Sequence, residues 1–218
     1  MSQSLNILFQ NEHFVLVEKS AMVLTVPGRF GDKDERPVLG RELEAHLGKT
    51  VFPIHRLDYE VSGLVLFALN GKAHSAGNSW FEKKMIQKVY QAITENQGQS
   101  PKPPRDLEQT WQSRLLRGKK RAYESPVGKP AITKATLVNE SGVGVAEQLF
   151  WHLEPVTGRS HQLRYELYKR GYPIAGDALY GGKSSWNHGI ALRAVKISFP
   201  MAAKDFGLPH ESSISGLF

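Results

Sequence analysis

Residues 54–69 read IHRLDYEVSGLVLFAL, in which a polar segment passes through a Ser-Gly turn into an apolar run. A short apolar run bounded by turn residues is typical of a buried β-strand. Outward from this run, further short segments rich in β-branched or aromatic residues predict strands at residues 14–17, 89–94, 132–138, 147–153 and 191–199. The chain is therefore expected to consist mainly of strands.

Two segments have helical features. Residues 72–86 place small and aromatic side chains on one stripe at helical spacing. Residues 160–170 lie between Ser160, which is suited to cap a helix N-terminus, and Gly171, which is suited to end a helix. A few helices interspersed among more numerous strands predict an α+β fold.

The composition excludes several classes of protein and site. The length of 218 residues fits one domain with its own core. The absence of cysteine excludes a disulfide scaffold, a thiol nucleophile and a cysteine-based metal site. The histidines lack metal-binding spacing, so we predict no metal. Residues 1–20 lack a signal-peptide pattern and no apolar run could span a bilayer, so we expect a cytoplasmic protein that has no membrane partner.

The charge of the chain is basic and unevenly distributed. Lysine and arginine number 28 against 21 acidic residues, which favours polyanionic partners such as nucleic acid. Residues 102–134 hold nine basic and three acidic residues, with Lys119, Lys120 and Arg121 in a row. We interpret about residues 97–130 as a basic loop or arm. It is either a solvated surface loop or an arm that grips phosphates with help from interleaved apolar and aromatic side chains.

Three segments carry polar residues where a core would exclude them. Arg56 and Asp58 lie two apart in an extended segment, as an ordinary ion pair or as an ionised carboxylate beside a cation in a cleft. Residues 156–164 turn into the second predicted helix, where Arg159 either faces solvent or binds phosphate. Tyr90 interrupts a predicted strand, as a half-buried residue or as part of a site. Neither a P-loop nor a GxGxxG motif is present, so no nucleotide cofactor is predicted.

The order and the residues of these segments resemble the sequence motifs of the RluA family of pseudouridine synthases. The early motif VPGR (26–29) is similar to that of the small, single-domain members, which modify 23S rRNA and tRNA. The other similar motifs are HRLD (55–58) followed by SGL (62–64), KVYQA (88–92), GKPA (128–131), TGRSHQLR (157–164), and GYPI (171–174) followed by GDALYG (176–181).

The resemblance implies an α+β fold in which a mixed, mainly antiparallel sheet is divided by a catalytic cleft and flanked by helices and loops. It implies isomerisation of uridine to pseudouridine in 23S rRNA and/or tRNA, without cofactor or metal. We expect one catalytic domain over residues 1–218, a monomer without the N-terminal S4 domain of larger relatives. The tail at residues 202–218 is expected to pack late or fray. The alternative is a catalytically silent RNA-binding protein on the same fold.

The resemblance also assigns roles to individual residues. Asp58 would be the catalytic aspartate, Tyr90 would lie against the uracil, and Arg164 would pair with the catalytic aspartate and keep it charged. Leu163 would wall the base pocket, and Arg56 would enter the RNA stack as the target base leaves. The further substrate-binding candidates are His55, Arg159, Lys119, Lys120 and Arg121.

Three positions depart from the family pattern. VEKS (17–20) replaces Asn-Lys-Pro or Asp-Lys-Pro, which is expected to alter an entry turn. Arg164 is followed by Tyr165-Glu166 where Val-His is common, and Arg193 stands where histidine is usual. Both are expected to bear on the choice of substrate. Asp177, in the GDALYG motif, is interpreted as a structural acid that hydrogen-bonds a turn.

Overall fold

The computed structural model describes residues 5–28, 31, 34–97, 101–141 and 147–217. The chain divides into two compact units, which are described one at a time. Unit 1 comprises Met1–Ile86 and Ala194–Ile214, and unit 2 comprises Gln87–Arg193 and Ser215–Phe218. Arg29 of the VPGR motif, residues 98–100 of the predicted basic loop and Phe218 of the predicted tail lie outside the described residues.

Unit 1 is built on a β-sheet with the strand order β1-β2-β4-β10-β11, and β3 also pairs with β4. Its strands are β1 (Asn6–Gln10), β2 (Phe14–Lys19), β3 (Phe52–Pro53), β4 (Ser62–Ala68), the part of β10 (Leu192–Ser198) from Ala194 on, and β11 (Glu211–Ser213). β2 and β4 pair in an antiparallel register that ends at Lys19↔Gly63. Gly63 has φ +118°, and a Cβ atom there would lie 2.3 Å from the carbonyl oxygen of Ala194. Only glycine therefore allows this close approach.

Within the described residues, unit 1 also contains α1 (Leu39–Leu47), α2 (Gly71–Glu82) and a 3-10 helix over Met201–Phe206. Helix α2 begins at Asn70, whose side-chain oxygen accepts from the backbone N–H of Ala73 at 2.9 Å. Because Ala73 and Trp80 of this helix are buried, its apolar stripe faces the core. The core of unit 1 also contains the following buried residues: Phe14, Leu16, Ile54, Leu64, Leu66, Ile86, Ile197, Phe199 and Leu208.

In the described part of unit 2, antiparallel strands lie in the order β5-β9-β8-β6-β7. They are β5 (Gln87–Glu95), β6 (Gln109–Arg117), β7 (Ala122–Glu124), β8 (Lys129–Ser141) and β9 (Gln148–Pro155). Trp111, Ser113 and Leu115 alternate with exposed residues along β6, which is the period of a strand with one buried face.

Helix α3 (Gln162–Lys169) and a 3-10 turn (Ala178–Tyr180) belong to unit 2. The core of this unit is rich in aromatic rings. Trp151 lies 5.4 Å from Trp111 and 5.5 Å from Tyr172, measured between ring centroids. The indole N–H of Trp151 donates to the hydroxyl of Thr94 at 2.8 Å, so the one polar atom of this buried ring is satisfied.

The predicted α+β class and mainly antiparallel pairing are confirmed. Each of the six predicted strands overlaps an observed strand, and the first predicted helix overlaps α2. No helix within the described ranges is both long and apolar enough to cross a membrane. The division of the sheet by a cleft and the single catalytic domain stay predictions.

The structure differs from three local expectations. The basic segment is not a loop throughout, because residues 109–117 and 122–124 form β6 and β7. The second helix does not begin at a Ser160 cap: its N-cap is His161, in a left-handed conformation with φ 51° and without a side-chain capping bond. The tail packs rather than frays where it is described, because β11 pairs with β10 and the N–H of Leu217 donates to the side chain of Gln91 at 2.6 Å.

Candidate active site

Asp58 lies in unit 1, in the turn that leads into β4. The preceding residue, Leu57, is buried, and both its N–H and its carbonyl bond to the hydroxyl of Thr25 at 3.2 Å. The carbonyl of Asp58 itself accepts from the N–H of Val61 at 3.1 Å. One buried hydroxyl and one turn bond therefore fix the backbone on both sides of the carboxylate.

His55 and Arg56 lie in the same segment and differ in their surroundings. The ring of His55 stacks on Phe81 at 5.0 Å, and its Nε2 accepts from the backbone N–H of Leu66 at 3.2 Å. These contacts anchor the segment to α2 and β4, and the predicted contact of His55 with the substrate stays a prediction. Arg56 is exposed. Its guanidinium can therefore be reached from solvent, as a contact with RNA requires.

Lys19 is a buried cation that the sequence analysis did not assign to the site. Its side chain is 0% exposed, and its ammonium donates to the carbonyls of Ser20 at 2.9 Å, Val23 at 2.7 Å and Tyr59 at 3.4 Å. Burial lowers the pKa of the Lys19 ammonium from 10.5 to about 7, and the attraction of Asp58 and Glu60 acts in the opposite direction. The turn that carries Asp58 thus contacts a buried lysine through the carbonyl of Tyr59. The signal in the sequence was Lys19, the residue that the VEKS segment shares with Asn-Lys-Pro.

Arg164 lies in unit 2, near the start of α3, and forms a buried ion pair with Asp177. Its Nε donates to Oδ2 of Asp177 at 2.7 Å, and its Nη2 donates to Oδ1 at 2.8 Å. The two side chains are 2% and 1% exposed. This two-bond contact fixes the plane of the guanidinium. It uses two of the five N–H groups of the side chain. The predicted pairing of Arg164 with the catalytic aspartate stays a prediction.

The backbone around Asp177 holds its carboxylate in place. The N–H of Asp177 donates to Ile174 at 3.0 Å, and its carbonyl accepts from Gly182 at 2.9 Å. A Cβ atom at Gly182 would lie 2.3 Å from the carbonyl oxygen of Ile174, so the loop closes only with glycine there. The carboxylate of Asp177 therefore does not bond the turn, the role interpreted from the sequence, but orients the guanidinium of Arg164, and only the backbone of Asp177 bonds within the turn.

Gln162, at the first turn of α3, joins this helix to the preceding turn and to β8. Its side-chain oxygen accepts from the hydroxyl of Thr157 at 2.8 Å and from the N–H of Arg159 at 3.0 Å. Its side-chain nitrogen donates to Ile132 at 3.0 Å and to Thr133 at 2.9 Å. Local hydrogen bonds thus replace the cap that the sequence suggested at the helix start. The same bonds fix the positions of the residues that follow, Leu163 and Arg164.

The remaining predicted site residues of unit 2 lie on three other elements. Tyr90 is 6% exposed in β5, opposite Leu153 of β9. Arg159 is half-buried, and its Nε donates to the carbonyl of Pro130 at 2.9 Å, so this guanidinium also holds a strand. The three consecutive basic residues are exposed at the turn between β6 and β7: Lys119, Lys120 and Arg121. We call residues 118–121 the basic hairpin tip.

Each unit therefore holds one part of the predicted set. Unit 1 brings His55, Arg56 and Asp58 into one segment, and unit 2 contains all the others. Within the described residues, no group of three or more histidine, aspartate or glutamate side chains is arranged to hold a metal ion. Unit 1 offers a carboxylate on a fixed backbone, and unit 2 offers a fixed guanidinium and exposed cations, which are groups that suit chemistry on a polyanion.

Comparison with known proteins identifies the family. The model of the RNA pseudouridylate synthase family matches residues 13–169. Over 202 residues the chain is 33% identical to the uncharacterized RNA pseudouridine synthase YhcT of Bacillus subtilis (strain 168), covering 88% of this chain and 63% of that protein. Over 198 residues it is 32% identical to the dual-specificity RNA pseudouridine synthase RluA of Vibrio vulnificus (strain CMCP6), covering 88% and 76%. Over 182 residues it is 30% identical to tRNA pseudouridine synthase C of Vibrio parahaemolyticus serotype O3:K6 (strain RIMD 2210633), covering 81% and 74%.

Two solved structures share the fold. Human RNA Pseudouridylate Synthase Domain Containing 1 has a TM-score of 0.79 at 21% identity, covering 99% of this chain and 84% of that one. Human RNA Pseudouridylate Synthase Domain Containing 4 has a TM-score of 0.68 at 20% identity, covering 90% and 84%. From the matched span, the identities and the shared fold together, the chain belongs to the RNA pseudouridylate synthase family.

Proposed function

We propose that this chain isomerises uridine to pseudouridine in RNA. The observation that carries the proposal is that Asp58, Tyr90 and Arg164 all lie inside the matched span of residues 13–169. Two of them are also held as a reactive group must be. The backbone of Asp58 is fixed through Leu57, and Arg164 is fixed by two bonds to a buried carboxylate. Groups fixed before the substrate arrives lower the entropic cost of reaction.

The reaction needs a fixed carboxylate but neither oxidant nor reductant. The N1–C1′ bond of the nucleotide breaks, the uracil turns, a C5–C1′ bond forms, and the base exchanges a proton at C5 for one at N1. We assign Asp58 to the ribose, where it attacks C1′ or otherwise assists glycosidic cleavage. Tyr90 lies against the uracil and assists proton transfer, Leu163 walls the base pocket, and Arg164 keeps the catalytic aspartate charged.

The RNA is held by exposed cations. Arg56 enters the stack as the target base leaves, which offsets part of a base-flipping cost of a few kcal/mol. The basic hairpin tip binds phosphates, together with Arg159. We propose a monomeric enzyme that acts on 23S rRNA and/or tRNA. The name of one relative, tRNA pseudouridine synthase C, supports the second substrate class.

The test is to map pseudouridine in two RNA classes treated in parallel. Unmodified 23S rRNA and tRNA transcripts are incubated with the wild type or with Asp58→Asn, and new pseudouridines are located by carbodiimide labelling and primer extension. We expect a new pseudouridine with the wild type alone. If the wild type binds RNA tightly but modifies neither transcript, the catalytically silent RNA-binding protein replaces this proposal.

A further inference from the structure

Tyr180 is 1% exposed and contacts two functional parts of unit 2 that are distant in sequence. Its hydroxyl accepts from the N–H of Ala122 at 2.7 Å and lies 3.2 Å from the carbonyl oxygen of the same residue. Ala122 is the first residue of β7 and directly follows the basic hairpin tip. The hydroxyl therefore holds the returning strand of that hairpin.

The ring of Tyr180 contacts the other functional part, the Arg164 guanidinium, whose central carbon lies 5.4 Å from the ring centroid. At this distance the cation is attracted to the face of the ring. The carboxylate that fixes Arg164 belongs to Asp177, whose carbonyl accepts from the N–H of Tyr180 at 3.0 Å. One short 3-10 turn thus holds the guanidinium from two directions.

The hydroxyl of Tyr180 also lies 3.3 Å from Nδ1 of His161, the residue with φ 51° at the start of α3. A hydroxyl has one proton to donate. Because Ala122 and His161 both lie within reach of that proton, the hydroxyl has two alternative hydrogen-bond patterns. One favours the hairpin strand, and the other favours the helix that carries Arg164.

We propose that Tyr180 is a positioning residue through which RNA bound at the basic hairpin tip secures the ring contact of the Arg164 guanidinium, whose plane Asp177 already fixes. The inference rests on the proposed function and adds a coupling between phosphate binding and chemistry. RNA on the tip holds β7 in place, β7 holds the hydroxyl of Tyr180, and its ring then lies correctly against the guanidinium. An RNA that leaves the tip empty is consequently converted slowly even when its uridine reaches the site.

The test is a double-mutant cycle between Tyr180→Phe and a neutralised tip, in which Lys119, Lys120 and Arg121 are changed to alanine. Tyr180→Phe keeps the ring and removes only the hydroxyl bonds. We expect it to lower kcat about five- to tenfold, which is the effect of losing about one buried hydrogen bond. KM should change less than about twofold. In the neutralised background, the same change should lower kcat less than about twofold. Thermal melts of every variant are measured first, and all assays are run at a temperature well below the lowest melting midpoint.

A second variant separates Tyr180 from attachment of the hairpin in general. Glu124→Gln breaks the ion pair of β7 with Lys169, 2.8 Å long, without touching the tyrosine. We expect kcat to stay within about twofold of the wild type. If Tyr180→Phe lowers kcat by the same factor in both backgrounds, or raises only KM, or if Glu124→Gln reproduces its effect, the coupling is refuted. An inactive wild type would instead refute the proposed function, and this inference with it.

Discussion

Replacing Asp177 by asparagine tests how much the free energy of unfolding depends on the buried ion pair with Arg164. The side chains are 2% and 1% exposed and share two hydrogen bonds of 2.7 and 2.8 Å. Breaking a buried ion pair from one side costs about 3–5 kcal/mol, because the remaining charge stays desolvated. Asparagine keeps the volume and one acceptor oxygen, so we expect the lower end, about 3 kcal/mol.

The assay is urea unfolding at neutral pH, in which this loss moves the midpoint by roughly 1–2 M. The matched control is Glu108→Gln, which breaks a pair with Lys134 that is 44% and 49% exposed. An exposed pair contributes about 0–1 kcal/mol, so the control should shift the midpoint little. If Asp177→Asn is no more destabilising than Glu108→Gln, the role assigned to the buried pair is wrong.

Three further perturbations have expected outcomes. Lys19→Met should remove a pH dependence of the free energy of unfolding. The pKa of the Lys19 ammonium is 10.5 in the unfolded chain and about 7 in the folded chain, so the unfolded chain binds more protons between these values. From pH 7.5 to 9.0, the stability of the wild type should therefore rise by about 2 kcal/mol relative to the variant in urea melts. A pH-independent difference would contradict the burial of that ammonium. Reversing the three charges of the basic hairpin tip should weaken RNA binding and flatten its salt dependence in filter binding, with a slope change of about 2–3; an unchanged slope would exclude the tip from the interface. Gly63→Ala, whose Cβ would lie 2.3 Å from Ala194, should destabilise by more than about 1 kcal/mol in urea, and an unchanged midpoint would show that the close approach relaxes freely.

The strands were predictable where burial leaves a pattern in the sequence. β4 and β9 are apolar or aromatic runs, and they were found where expected. β6 was missed because the buried residues Trp111, Ser113 and Leu115 alternate with polar ones inside a strongly basic segment. The net charge of that segment obscured a period-two pattern that was present. The net charge reflects the residues on the exposed face of the strand, whereas the buried residues at every second position identify it as a strand.

The residues of the candidate site were predictable from motifs, but the contacts that hold these residues in place were not. The motifs name Asp58, Tyr90 and Arg164, and neither spacing nor composition shows what holds them. The bidentate contact of Arg164 comes from Asp177, thirteen residues later, through a loop whose closure depends on tertiary packing. Lys19 was equally hidden, because a lysine at the end of a strand is ordinarily exposed, and only the fold shows its three carbonyl partners.

The most direct test of the central claim measures chemistry and binding on the same RNA. Tritium release from RNA labelled at uridine C5 reports the loss of the C5 proton, and filter binding reports the affinity of the same sample. We expect Asp58→Asn to bind RNA within about threefold of the wild type and to release tritium at least about 10³-fold more slowly. Release by the variant at a rate close to the wild type would show that Asp58 does not carry the reaction.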